Sequence, residues 1–504
     1  MLTGNYFYDK ILAARVHDKS VFLEIPGEAA VTYAAAHERS KKLASSLVRG
    51  GVLPGDRVLV QIEKCPEALF LYLACVMAGA IFLPLNPAYS AKEMAYFASN
   101  SLPKVIVGDH KSGPSLETVA RNVGAQLVIL SNGKLPIEEG STFDIVPREP
   151  NDIAAILYTS GTTGASKGAM LSHGNLVSNA EVLCTEWRFT TEDRLIHPLP
   201  VFHSHGLFVA TNIALVSGCT LIFHRKFDIE TIFDAMPSAT SMMGVPTFYI
   251  RLLSDGRFTK ELTANMRLFV SGSAPLLPKT HAEFEYRTGH AILERYGMTE
   301  TNMITSNPYF GPRVAGTVGL PLPGISLRIT DPETGRIVAR NETGVIELKG
   351  PNVFKGYWNL PEKTASEFRT DGFFITGDLG VQDHTGVVSI VGRAKDLIIS
   401  GGLNVYPREI EEKIDALDSV LECAVIGVPH PDFGEGIVSV IVPKGNALTL
   451  VQLNEALKGQ LAKFKLPKRL YLVTDLPRNT MGKVQKKDLR KRFENAFSVD
   501  GKHE

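Results

Sequence analysis

The chain has 504 residues, too many for one hydrophobic core, so two or more domains are expected. Its 53 basic and 53 acidic side chains cancel, which removes any long-range pull toward nucleic acid or anionic lipid. Cysteines 65, 75, 184, 219 and 423 form no C-x-x-C pair and read as reduced core thiols of a cytoplasmic protein, neither disulfides nor metal ligands.

The opening stretch MLTGNYFYDKILAARVHDK carries charge early and lacks the apolar core of a secretory signal. Residues 32–49 have helical spacing and 56–62 alternate like a strand. The uncharged run 68–85 is long enough to be tested as a membrane span. Gly79 and Pro84 interrupt it, so a buried helix over 66–78 and a strand over 81–83 are expected instead, with no membrane crossing. Further short β-rich runs at 104–108 and 125–130 continue an alternation that predicts parallel sheet covered by helices.

A different signal follows the apolar run 153–157. Tyr158-Thr-Ser-Gly-Thr-Thr-Gly-Ala-Ser-Lys-Gly168 packs three glycines, five serine or threonine hydroxyls and one lysine into eleven residues. Glycine lets backbone N–H groups approach a polyphosphate, hydroxyls donate to it and Lys167 adds a point charge. The order is not that of the NTPase P-loop, because Ser166 precedes the lysine and Gly168 follows it. The loop resembles the phosphate loop of the adenylate-forming enzymes (acyl-CoA synthetases, peptide-synthetase adenylation domains, luciferases).

Downstream, Ser271-Gly-Ser-Ala-Pro275 turns out of a strand over 266–270, where open α/β sheets receive flat ligands. Tyr296-Gly-Met-Thr-Glu300 offers a stacking ring, a hydroxyl and a hard oxygen ligand suited to Mg²⁺. From about Gly319 short alternating strands suggest a small antiparallel barrel or sheet. Asp378 of Thr376-Gly-Asp378 ends a strand, where a carboxylate can accept from both ribose hydroxyls, and Arg393 is placed to brace the sugar or α-phosphate. The polar joint 392–396 precedes about 110 residues of β-α-β-β-α pattern, an independent α+β domain. Near its end, Pro477-Arg-Asn-Thr-Met-Gly-Lys483 presents one lysine on a loop.

Six such motifs in order, from about residue 18 to 487, identify the chain as resembling the adenylate-forming family throughout. The resemblance implies an α/β fold. Its large N-terminal domain (1–394) has helix-covered sheets and a small antiparallel β-barrel, and a small mobile α+β domain (395–504) follows. It implies ATP and Mg²⁺ with coenzyme A as co-substrate. Thr159, Ser160, Gly161, Thr162, Thr163, Gly164 and Lys167 would hold phosphates. Ser271, Gly272, Ser273, Ala274, Pro275, Glu294, Arg295, Tyr296, Gly297 and Met298 would surround the nucleotide, with Asp378 and Arg393 at the ribose. Glu300 would carry the metal beside Thr299, and Lys395 would be the hinge, although a solvated linker lysine remains the alternative. Lys483 would serve adenylation, after which the Gly401-Gly402 turn would replace it and admit a pantetheine arm.

The acid is read from two places. In Pro200-Val-Phe-His-Ser-His-Gly206, His203 stands where amino-acid-activating relatives place an aspartate, and His205 would lie at the acyl carbonyl. The two histidines lack a nearby third ligand, so a zinc site is not expected. In Gly244-Val-Pro-Thr-Phe-Tyr-Ile-Arg251, the arginine among apolar residues has two readings. It snorkels to solvent, or it faces the pocket and pairs with a second carboxylate of the substrate. Stretches such as MGVPTFYIRLL and ERYGMTETNM resemble the malonate-activating members of the family, so malonate is the expected acid, with methylmalonate second. With about twenty residues after Lys483, free coenzyme A is the expected thiol. Monomer and weak dimer stay equally open.

Overall fold

The structure, a computed structural model, describes residues 2–136, 143–159, 166–445, 448–479 and 482–498. Two large sheets carry most of the N-terminal part. One has six strands, and its core runs parallel through Gln126–Leu130, Val105–Asp109, Arg57–Gln61, Ile81–Pro84 and Ile153–Thr159. Its last strand, Lys167–Ser172, returns antiparallel from the far side of the phosphate loop. The other has nine strands, with Arg194–His197, Ser241–Gly244, Leu268–Ser271 and Leu293–Met298 parallel at its centre.

The uncharged run folds as expected, with helix Pro66–Ala78 and strand Ile81–Pro84 both buried. Proline at the first helical position needs no N–H partner, and Gly79 closes the other end in the left-handed conformation. Twelve of the thirteen helical residues are buried, including Glu67, whose carboxylate accepts from Arg39 and from the Leu135 N–H. A helix apolar all round is a core helix here. None of the described helices is long and apolar enough to cross a membrane.

The short strands after Gly319 form an antiparallel sheet in the order Ser326–Thr330, Gly344–Lys349, Phe374–Gln382, Val388–Arg393. It is an open sheet rather than a closed barrel, because its first and last strands do not pair. The C-terminal part is built on Val420–His430 paired with Gly434–Pro443, with the hairpin Ile398–Ser400 and Leu403–Val405 on one edge. Helices Pro407–Asp415 and Leu450–Leu457 cover it. A parallel strand Arg469–Leu472 and a helix Lys486–Arg492 extend the expected pattern.

Candidate active site

A cavity of about 730 Å³ opens at the carboxyl ends of Ile153–Thr159 and Leu293–Met298. Thr159, Lys167, Ser273, Arg295, Gly297, Met298, Thr299 and Glu300 line it from the N-terminal part. Arg478, Asn479, Lys483 and Gln485 close it from the C-terminal part. Motifs more than three hundred residues apart, at Thr159 and Lys483, therefore share one space.

The antiparallel sheet supplies one wall. Register sets Asp378 opposite Arg393, and the Arg393 Nε lies 2.8 Å from Asp378 Oδ1. The Tyr296 hydroxyl donates to Asp378 Oδ2 at 2.5 Å, and the Asp378 N–H donates to Thr376 Oγ1. The carboxylate is held in one rotamer with lone pairs to spare. Tyr296 itself is buried behind the wall, so the surface expected from its ring falls to Gly297 and Met298. The reason is local, since Leu293–Met298 stays extended by pairing with Asn302–Ser306 and carries Tyr296 inward. Lys395, on a short 3₁₀ turn, also lines the cavity, and burial draws its pKa down.

On the phosphate side Ser160, Gly161, Thr162, Thr163 and Gly164 lie outside the described residues. Lys167 stands 3.2 Å from Glu367 and above the Tyr357 ring at 4.1 Å. The Tyr357 hydroxyl lies 2.6 Å from Glu367 and 3.0 Å from Glu300, so it bridges the two carboxylates. Burial pushes Glu300 up, with the Tyr357 hydroxyl and Lys167 opposing it. Burial also raises Glu367, but Lys363, Tyr357 and Lys167 reverse this and leave it below the ordinary carboxylate range. Tyr357 and Glu367 were not among the expected site residues, and nothing in the local run KGYWNLPEKTASEF marks them. No group of three potential ligands gathers among the described residues. A single buried carboxylate beside room for a polyphosphate fits Mg²⁺, which keeps phosphate and water ligands of its own.

The acyl end differs from expectation. Arg251 is exposed and off the wall of this cavity, its guanidinium lying 4.6 Å above the Phe227 ring. Helix Pro246–Leu253 buries Pro246, Tyr249, Leu252 and Leu253, which turns position 251 to solvent. The pocket-facing expectation is thereby corrected.

Another arginine occupies the interior. Arg295 is buried, and its Nε and Nη2 have no partner. Burial draws its pKa down to about 9, against the influence of Tyr249 and Glu294. Around it stand His203, with pKa lowered by burial and then by Arg295 to about 4, and His205, lowered by the same two causes. Both imidazoles are therefore neutral near pH 7. The His205 Nδ1 meets Ser273 Oγ at 3.3 Å, while His205 Nε2 and Ser271 Oγ are buried without partners. Two backbone features make the room. A Cβ on Gly272 would sit 2.3 Å from the Arg295 guanidinium, and Ser273 adopts φ 71°. Ala274, Pro275 and Glu294 lie off the cavity wall, and Glu294 accepts from the Leu276 N–H. Four unsatisfied polar atoms on three buried residues, Arg295, His205 and Ser271, are costly unless a polar ligand completes them.

Lys483 enters from a loop tied by paired hydrogen bonds between Asn479 and Lys483. Burial, then Arg393, lowers its pKa to about 8. The Gly401-Gly402 turn is exposed and off the cavity wall, both glycines at positive φ.

Comparison with known proteins follows the same layout. The chain overlays ATP-bound MatB from Rhodopseudomonas palustris with a TM-score of 0.95 at 52% identity, covering 99% of this chain and 100% of that one. Against the apo form of MatB the TM-score is 0.84 over the same share. A feruloyl-CoA synthase of Amycolatopsis is 35% identical over 93% of this chain and 95% of its own length. A malonate–CoA ligase of Arabidopsis thaliana is 34% identical over 88% of this chain and 79% of its own. The model of the AMP-binding enzyme matches residues 11–358, and that of the AMP-binding enzyme C-terminal domain matches 409–483. The chain belongs to the AMP-binding enzyme family.

Proposed function

We propose that the protein joins malonate to coenzyme A at the expense of ATP, through an acyl-adenylate, and accepts methylmalonate more weakly. Relatives at about the same identity are named for acids as different as ferulate and malonate, so the acid must be argued from the pocket. One observation carries it: Arg295 is buried with two free guanidinium nitrogens beside neutral His203 and His205. A long or aromatic acyl chain would leave that cation unpaired. A short acid with a second carboxylate satisfies it by charge-assisted hydrogen bonds. The likeness to MatB and to malonate–CoA ligases supports the same acid.

In the first half-reaction one malonate carboxylate oxygen attacks the α-phosphorus of ATP, and pyrophosphate leaves. Arg295, with Ser271 and His205, holds the far carboxylate and fixes the near one for in-line attack. Asp378, locked by Arg393 and Tyr296, takes the ribose, and Lys483 faces the developing phosphoryl charge. Glu300, beside Thr299, would hold Mg²⁺, which when bound neutralises charge on the phosphates. Thr159 and Lys167 serve the β and γ phosphates, with Glu367 keeping Lys167 in place meanwhile. In the second half-reaction the thiolate of coenzyme A attacks the acyl carbonyl, the tetrahedral centre collapses and AMP leaves.

We divide the working parts at 394/395, with Lys395 at the hinge. The small domain carries Lys483 into the cavity in this structure, and the closer overlay with ATP-bound than with apo MatB supports an adenylating arrangement. Its rotation would bring the Gly401-Gly402 turn to the site for the thiol. Five unpaired cysteines suit a reducing compartment such as the cytoplasm.

The test is pyrophosphate release with ATP and Mg²⁺ over malonate, methylmalonate, propionate, octanoate and ferulate, followed by product analysis after addition of coenzyme A. Malonate should lead the series. A lead for octanoate or ferulate would remove the dicarboxylate assignment and keep the reaction class.

A further inference from the structure

Lys279 is the second residue of helix Pro278–Thr288, whose first turn holds no acidic residue. A cation there opposes the helix dipole. Its Nζ, however, reaches the C-terminal part, donating to the carbonyl of Asp415 at 2.9 Å and to that of Val420 at 3.3 Å. Asp415 ends helix Pro407–Asp415, so its carbonyl is one of the orphan acceptors at a helix C-terminus. The lysine is misplaced on its own helix and well placed on its neighbour's.

The other end of helix Pro407–Asp415 faces the large domain more loosely. Arg408, in its first turn, is the strongest opposing charge felt by Glu294, whose Oε2 is buried without a partner. Arg408 makes its ion pair with Glu412, one turn on in its own helix at 3.0 Å, so the hydrogen bonds from this helix to the large domain run through Lys279. The same rigid body carries Lys483, through Val420–His430 and the Arg478–Glu422 ion pair of the Lys483 loop.

We infer that Lys279 is a positioning latch that holds the small domain where Lys483 reaches the cavity. It must let go before the Gly401-Gly402 turn can take over. The inference rests on the two-step reaction proposed above, and concerns orientation rather than chemistry, since Lys279 touches neither substrate nor reacting atoms.

The test separates the half-reactions. Single-turnover adenylation is timed without coenzyme A, and a second mixing step then times transfer from the bound adenylate to coenzyme A. Lys279→Ala should slow adenylation about three- to tenfold while leaving transfer unchanged or faster. Lys279→Arg, which still reaches both carbonyls with a cation, should restore adenylation. Lys279→Met, which keeps the apolar stem without the cation, should show the same one-sided loss, and guards against misfolding of a single variant. Equal slowing of both steps, or no change in either step for both uncharged Lys279 variants, overturns the latch. The split is read with whichever acid the wild type adenylates, so failure of malonate strikes the acid assignment alone.

Discussion

The two domains bring charge to the cavity in opposite ways. In the large domain Arg393, Asp378 and Tyr296 are already bonded to one another, and Arg295 is walled in by the Gly272-Ser273 backbone. Those groups wait in place, as electrostatic preorganisation requires. The small domain presents Lys483 on a loop, where, among the described residues, its backbone hydrogen-bonds to Asn479 and Gln485. What is fixed selects and orients; what is carried in can be withdrawn, freeing the site for a second reaction.

The sharpest break of that contrast is Lys483→Ala. It should cost adenylation about 10³-fold and spare thiol transfer from a bound adenylate, read by the same double mixing. Loss of both steps together would make Lys483 part of the fixed set. Glu300→Gln belongs to that set, and should cut both pyrophosphate release and its Mg²⁺ dependence by about 10² in rate. A carboxamide that leaves the metal response intact would move the Mg²⁺ site elsewhere.

The carried charge also titrates. Lys483 is active as the ammonium, and with its pKa drawn down to about 8 that form is lost as pH rises through 8. The kcat/KM for pyrophosphate release should therefore fall above about pH 8, toward tenfold per pH unit. Lys483→Arg, which stays charged, should lose that limb whatever its residual rate. The smallest effect is expected of Arg251→Ala. An exposed guanidinium over Phe227 is worth about 0.5–1 kcal/mol, so kcat/KM for malonate should change by less than about threefold.

The two arginines also show what the sequence could and could not convey. The phosphate loop, the Tyr296-to-Glu300 run and the Lys483 loop were legible because their chemistry needs particular residue types packed closely along the chain. Helix 66–78 was legible from Gly79 and the lack of charge. Arg251 was singled out because a cation among apolar residues demands a partner, yet burial at 246, 249, 252 and 253 already assigns 251 to the outer face. Arg295 was taken for part of the nucleotide wall. Its role depends on what Gly272, Tyr249 and His205 leave open in three dimensions, and no spacing along the chain records that. Tyr357 and Glu367 escaped for the same reason: they reach Glu300 and Lys167 from a separate stretch of chain.

The most direct measurement is the preference for malonate over propionate, which carries a methyl group where malonate has its second carboxylate, in wild type and in Arg295→Met. Wild type should favour malonate by at least about 100-fold in kcat/KM for pyrophosphate release. Arg295→Met, filling the same space without an unpaired buried charge, should melt no lower than wild type and lose most of that preference. A wild type that takes both acids equally, or an Arg295→Met variant that keeps its preference, would contradict the account.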